Sequence, residues 1–404
     1  MPVAAGSAAT LRWKKQSAKG TYNATGGQIL RRITGKLSYE RSKIENNQIR
    51  SDKQMAMPRL GLGTVKLPYQ DIITPGTHAA FYASVLLGAY ATAATTGALT
   101  NITAAVTVAP AGTFTRAAGT FIADGFRVGQ VVRWTGWTTG ATANNAHNFR
   151  ITALSPTVMT CEPLDSVALV AKASGDSVTC TLVGKQVATP SSGHVDDWYT
   201  FEDWQSDIAQ SEQSFDSRIE SFNLKIAPNA QPTIDINVKG LVFTQDTAAY
   251  FSSPTAEAST DVSSAVNSKL ILDGVAIATI TDMSINASVE LDMPAVVGAA
   301  VYPMLASKQV KAEGSITVLW EDQALMTKYL NETDLTISAI LPNSNLPAAD
   351  FVAYTVPRVR LFAAEKSDGL EAKTKTYTWS AGENAAAAAG TIAATIAVQD
   401  SLAT

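Results

Sequence analysis

Gly63-Thr64-Val65-Lys66-Leu67-Pro68-Tyr69-Gln70-Asp71 and, far downstream, Gly314-Ser315-Ile316-Thr317-Val318-Leu319-Trp320-Glu321-Asp322 read as one phrase written twice. Each alternates apolar and polar residues and ends on an acid. Val65, Leu67 and Tyr69 share one face of the first, and Ile316, Val318 and Trp320 one face of the second. A period of two places such side chains on the covered side of a half-buried strand. Each is preceded by a candidate partner strand: Leu30-Arg31-Arg32-Ile33-Thr34-Gly35-Lys36-Leu37-Ser38-Tyr39 for the first, Ile280-Thr281-Asp282-Met283-Ser284-Ile285 for the second. The shared order is strand, long loop, strand, short helix. A repeat of this length implies a duplicated domain, since solenoid units are shorter and more numerous.

The expected fold is therefore mainly β: two tandem β-sandwich or barrel units with short helices, plus an inserted small all-β module. Residues 1–27 are polar, basic and Gly-rich, an arm that is either disordered or ordered by a neighbouring subunit. The first unit occupies 28–100 and resumes over 187–268 with a connecting loop. Short strands broken by Gly, Asn and Pro mark 101–186 as the insert. The second unit takes 269–404. Within the first, Ser42 to Leu62 reads as a long loop with a charged centre. Phe222, Leu224 and Ile226, then Ile234, Ile236 and Val238, alternate on either side of Pro228-Asn229-Ala230-Gln231-Pro232 and predict a hairpin. Further strands are expected at Asp334–Ile340, Thr355–Phe362, Thr374–Trp379 and Thr391–Gln399, and a turn over the alanine run Ala385–Ala389.

The 404 residues give room for two to three cored domains. Charged residues are 16%, below the roughly 25% of ordinary soluble domains. That points to a surface partly covered by other copies. The formal net charge of -4 disfavours a tight grip on nucleic acid, which needs basic surface. From Ile72 to Thr115 there is no Asp, Glu, Lys or Arg. His78 to Leu99 is long enough for a bilayer, but its Ala, Thr and Gly content and its bare flanks favour a helix covering a sheet, followed by a linker. No membrane insertion is expected. Met1 to Ala9 lacks the basic and apolar segments of a secretion signal.

Catalytic signatures are missing. His78, His147 and His194 have no neighbours at metal or triad spacing, and there is no Cys-x-x-Cys, phosphate loop or nucleophile elbow. No cofactor, metal or catalytic residue is assigned. Asp196, Asp197, Glu202, Asp203 and Asp207 lack the spacing of a calcium loop and read as a solvated acidic face. Cys161 and Cys180 sit in one segment; two buried thiols are favoured over a cross-strand pair. Trp134 and Trp137 offer either core packing or an aromatic contact for a glycan or partner on the insert.

Leu30-Arg31-Arg32 with the downstream Ile49-Arg50-Ser51-Asp52-Lys53-Gln54, the run from Val310 through Leu325, and Tyr354-Thr355-Val356-Pro357-Arg358-Val359-Arg360-Leu361 resemble the major tail tube proteins of long, non-contractile-tailed (siphovirus-type) bacteriophages. Gly125-Phe126-Arg127-Val128-Gly129 is similar to a module found in several of them. The resemblance implies a virion protein, assembled in the host bacterial cytoplasm, whose rings stack into a hollow tail tube. Genome DNA would pass the lumen without tight binding. Its implied partners are itself, the tape-measure protein, the tail terminator and distal tail proteins. With two units per chain, a trimeric pseudo-hexameric ring is expected over a true hexamer. Two loops are candidates for ring stacking: the charged Ile49, Arg50, Ser51, Asp52, Lys53 and Gln54, and the apolar Val296, Val297, Val301, Met304 and Leu305. The rival readings are the tube of another injection machine and a virion glycan-binding β-protein.

Overall fold

The computed structural model describes residues 3–108, 110–165, 167–385 and 388–403; Ala386 and Ala387 of the alanine run, and Met1 and Pro2 of the arm, lie outside the described residues. The first strands are β1 (Ala9–Lys15), β2 (Gln28–Leu30), β3 (Thr34–Gly35), β4 (Ser38–Asn46) and β5 (Ala56–Ile72), followed by helix α1 (Ala79–Val85). A group apart follows: β6 (Ile102–Val106), β7 (Gly112–Arg116), β8 (Val131–Thr135), β9 (Phe149–Leu154), β10 (Val158–Pro163) and β11 (Thr179–Leu182). Then come β12 (Lys185–Ala188), β13 (Tyr199–Gln205), β14 (Gln210–Ile226) and β15 (Thr233–Asp246). The last stretch holds β16 (Lys269–Leu272), β17 (Val275–Ala276), β18 (Ile280–Asp292), β19 (Ala306–Leu319), α2 (Ala324–Leu330), β20 (Leu335–Pro342), β21 (Phe351–Lys366), β22 (Thr374–Ala381) and β23 (Ala397–Asp400). The protein is mainly β, as its alternation predicts.

The duplication is visible strand by strand. In the first unit the antiparallel neighbours run β2, β1, β13, β14, β15, β5, β4. In the second they run β17, β16, β20, β21, β22, β19, β18. The irregularities match too. β13 meets β14 through a bulge between Tyr199 and Phe201, and β20 meets β21 through one between Leu335 and Ile337. A second bulge lies between Ile219 and Ser221 on β14 and between Leu361 and Ala363 on β21. Bulges bend a strand and fix its register, so a shared pair of them is a fingerprint of common geometry. Following the pairings outward, Val65 corresponds to Ala312 and Tyr69 to Ile316. The sequence register, which set Val65 against Ile316, is corrected accordingly. Trp320 lies past the end of β19, half-exposed beneath Lys366 and Lys375 rather than on the strand's inner face.

One continuous core serves both units, from Leu11, Leu67 and Phe222 to Ile285, Tyr354 and Val398. Tyr82 of α1 meets Tyr354 of β21 hydroxyl to hydroxyl at 2.6 Å. Gly314 is required where β18, β19 and β22 close up: a Cβ there would fall 2.0 Å from the Ser284 carbonyl oxygen and 2.7 Å from the Trp379 ring. The N-terminal arm is corrected to a strand of its own chain. β1 pairs along its whole length with β13, and Arg12 and Lys15 meet Glu202 and Asp197. The segment expected to be one long loop is mostly hairpin, since β4 and β5 leave only residues 47–55 between them.

β6 to β11 form a separate six-stranded sheet around Phe114, Phe121, Trp134, Phe149 and Met159. The insert interrupts the first unit in sequence but packs on the second. Val131 and Val183 cluster with Ile271, Ile340 and Phe351. The buried Gln399 side chain accepts from the Val131 N–H at 2.9 Å and donates to the carbonyls of Val131 and Val183 at 2.8 Å each. β12 then leaves the insert to pair with β23.

Candidate assembly surfaces

The junction between the two units is an edge-to-edge strand pairing. Ser221 to Ile226, past the bulge on β14, pair with Ser288 to Met283 on β18. The apolar side chains there, Phe222, Leu224, Met283 and Ile285, are all buried. Each unit therefore has a donor edge, β18 or its counterpart β4, and an acceptor edge, the end of β14 or its counterpart, the end of β21. Within the chain one donor and one acceptor are used. Among the described residues, no strand pairs with the outer side of β4 or with the outer side of β21 from Ala363 to Lys366. Unpaired edges present rows of free N–H and C=O groups and recruit further strands. Phe362, at the bulge of the free acceptor, is 62% exposed. Its counterpart, Glu220, is half-buried beside Lys239 at 2.5 Å.

The two helices report the same asymmetry. Phe81, Tyr82 and Val85 of α1 are buried, and Tyr82 touches the second unit. α2 buries none of its residues, and Leu330 is 68% exposed. Among the described residues, no element covers α2 as the second unit covers α1.

The stacking-loop candidates divide. Ile49 is fully exposed at the hairpin tip, and Arg50 and Asp52 form an exposed ion pair at 2.7 Å. Each partner moves the other's titration: Arg50 holds the Asp52 carboxyl below the usual carboxylate range. Ser51, Lys53 and Gln54 are exposed beside them. On the other loop Val296, Val297, Val301 and Met304 are exposed. Leu305 is not: it is 2% exposed against Leu87, Leu241, Val289 and Leu291, and is therefore corrected from a surface contact to a core residue.

Trp134 and Trp137 are likewise core residues of the insert, 0% and 3% exposed, with Trp134 stacked on Phe114 at 4.3 Å. Burial removes both rings from any surface that a glycan meets. Four of the five acids make ion pairs, and Asp207 is exposed and accepts from the Ala5 N–H. Asp197 meets Lys15 at 2.8 Å, Asp203 meets Arg32 at 3.8 Å, and Asp196 bonds Arg218. Burial pushes the Asp203 carboxyl up, while Arg32 opposes it. Glu202 is fully buried, accepting from Ser211, from the Phe251 N–H and from Arg12. Cys161 and Cys180 are free and buried, and burial raises both thiols. His78 is enclosed, 3.3 Å from both Asp71 and the Tyr69 hydroxyl. Among the described residues there is no group of three or more His, Cys, Asp and Glu placed to hold a metal. No helix among them is long and apolar enough to cross a membrane.

The residues that sequence reasoning missed are those of the acceptor edge, Phe362 to Lys366. They run on from the strand expected over Thr355–Phe362, but nothing local says that one side of it lacks a neighbour. No curated protein matches this sequence. A family model described as "Phage tail tube protein" matches residues 6–399. That span takes in both units and the insert, so the chain belongs to the phage tail tube protein family and is a structural component of the virion tail.

Proposed function

We propose that three copies of this chain close into a ring of six β-units, and that such rings stack into the hollow tube of a long, non-contractile phage tail. The observation that supports the reading is the internal β14–β18 junction together with its two unused counterparts. Carrying the internal register onto the free edges sets Glu40 of one chain opposite Ala363 of the next, Tyr39 opposite Ala364, and Ser38 opposite Glu365. Repeating that contact around an axis leaves neither of these two edges open and closes the sheets into one large barrel. Contacts between rings are head-to-tail and do not terminate, so they make a filament.

The tube is a conduit and not an enzyme, in keeping with its family. The tape-measure, terminator and distal tail proteins set its length and ends, and assembly takes place in the host bacterial cytoplasm. DNA slides through a wall that offers no net positive field, consistent with the formal charge of -4. Cryo-electron microscopy of the assembled filament tests the ring. Three chains per ring, with β4 seated on the end of β21, is the expected result. Six whole chains per ring would overturn the stoichiometry, and a sheath around the tube would overturn the non-contractile assignment.

A further inference from the structure

The two hairpins of the repeat end differently. In the second unit the β18–β19 loop, residues 293–305, folds back across the first unit. Val301 bridges Gly63 on β5 in parallel. Leu305 packs against Leu87 and Leu241, and Arg218 donates to the Leu305 carbonyl at 3.0 Å. The loop thereby fills the split where β15 and β5 part: they pair as far as Gly240 and Val65, after which β15 continues with β14 alone.

The second unit contains the same split. β22 pairs with β19 as far as Ser380 and Glu313, and then the two separate. Here the space is open, a cavity of about 470 Å³ bordered by Lys308, Val310, Glu383, Asn384 and His194. By the shared register, Val310 occupies the position of Gly63, and Glu383 that of Val242. Arg360 occupies that of Arg218. Arg218 is 1% exposed beneath the loop that covers it, whereas Arg360 is 44% exposed and pairs with Asp334 and Glu332.

We propose that this slot receives the β4–β5 tip, residues 47–55, of a second copy in the same ring. The inference rests on the ring reading above. The geometry is the internal contact repeated between chains. Counting back along β5 from Val65, and along β19 from Ala312, brings Gln54 to the place of Val301. The chemistry agrees. The filled slot is walled by Leu87, Leu241 and Val242 and takes an apolar loop. The open slot shares Leu87 and adds Lys308, Glu383, Asn384 and His194, and the β4–β5 tip carries Arg50, Ser51, Asp52, Lys53 and Gln54 beside the exposed Ile49. The charged tip thus seats sideways on its neighbour instead of reaching the next ring, and Arg360 donates to the Pro58 carbonyl, at the start of β5, as Arg218 does to Leu305.

Paired cysteines in assembled full-length tubes test this. Gln54→Cys with Val310→Cys reads the slot, and Glu40→Cys with Ala363→Cys reads the ring edge; the native thiols are buried. After mild oxidation, a denaturing gel is expected to show both pairs linking at most three chains, because a lateral contact closes on itself. A ladder running beyond three chains for the slot pair alone, or no slot link while the edge pair stops at three, would overturn the slot and leave the ring standing. An edge pair that does not stop at three would overturn the ring. Gln54→Cys with Lys308→Cys repeats the reading should Val310→Cys impair assembly.

Discussion

Replacing Arg218 by alanine should release the β18–β19 loop without unfolding the protein. The guanidinium is buried, donates to the Leu305 carbonyl at 3.0 Å, bonds Asp196, and lies 5.4 Å from the Trp198 ring. A hydrogen bond from a charged group contributes about 1.5–3 kcal/mol. The partly desolvated cation–π contact adds about 0.5–1 kcal/mol. The Asp196 pair is discounted to near zero, because that carboxylate is 52% exposed and solvent screens it. The local loss is then about 2–4 kcal/mol, which corresponds to roughly 30- to 1,000-fold faster amide exchange where opening is local. Hydrogen exchange with mass spectrometry on peptides covering 293–305 of the unassembled chain is the assay. Arg360→Ala is the matched control. Its side chain is exposed and holds down no loop in a lone chain, so exchange should stay unchanged throughout. Unchanged exchange of 293–305 in Arg218→Ala, or an equal acceleration from Arg360→Ala, would refute the claim that this arginine clamps one unit's loop onto the other.

Burial raises the Asp400 carboxyl to about 6, against opposing hydrogen bonds from the Gly76 and Leu402 N–H groups. An acid raised in the folded state contributes most below its unfolded value of about 4, and that contribution is lost as pH rises through 6. Asp400→Asn should therefore gain stability relative to the parent between pH 4 and 8, by up to about 3 kcal/mol for a shift of some two units; parallel urea midpoints across that range would count against it. Cys161 and Cys180 should resist a thiol reagent in the folded protein and react fully in denaturant, so rapid native labelling would contradict their burial. Duplex DNA should show no retained complex with assembled tubes in a shift assay at physiological salt; tight, salt-sensitive binding would argue against a neutral or acidic lumen.

The alternation of β5, β14, β15 and β19 was legible because each has one covered face, and the predicted hairpin appears with Phe222 opposite Ile236 and Leu224 opposite Ile234. The register of the repeat was not. Both quoted strands end on an acid, but the first unit runs on through Ile73 to His78 before α1, so aligning Asp71 with Asp322 slides the strands out of step. β1 was missed for a different reason. Its short, basic run gains meaning only from Glu202 and Asp197, which are distant in sequence and read alone as a solvated acidic face. The last expected strand, Thr391–Gln399, shrinks to β23 because only Ala397 to Asp400 find partners, on β12 and β21. Trp134 and Trp137 carried two readings in sequence. Only the packed core of the insert, which sets Phe114 and Phe121 around Trp134, decides for the core. Which edges stay free is a property of the whole pairing graph, which no local window contains.

Duplication in one polypeptide also explains why the two junctions differ in chemistry. The internal junction forms as the chain folds, and its closure by Leu305, Leu241 and Leu87 is buried at once, so it contributes at no risk of misassociation. The external junction must wait in solution until a ring partner arrives. An apolar tip and an apolar slot, both exposed on each free chain, would stick indiscriminately. A tip of Arg50, Asp52 and Lys53 and a slot of Lys308 and Glu383 stay soluble when apart, and gain register and selectivity when they meet. Exchanging the two loops between the hairpins should therefore spoil solubility before it spoils the fold: the unassembled chain would aggregate, while its near-ultraviolet circular dichroism at low concentration stays native. A soluble chimaera that still forms tubes would show that loop polarity is incidental to assembly.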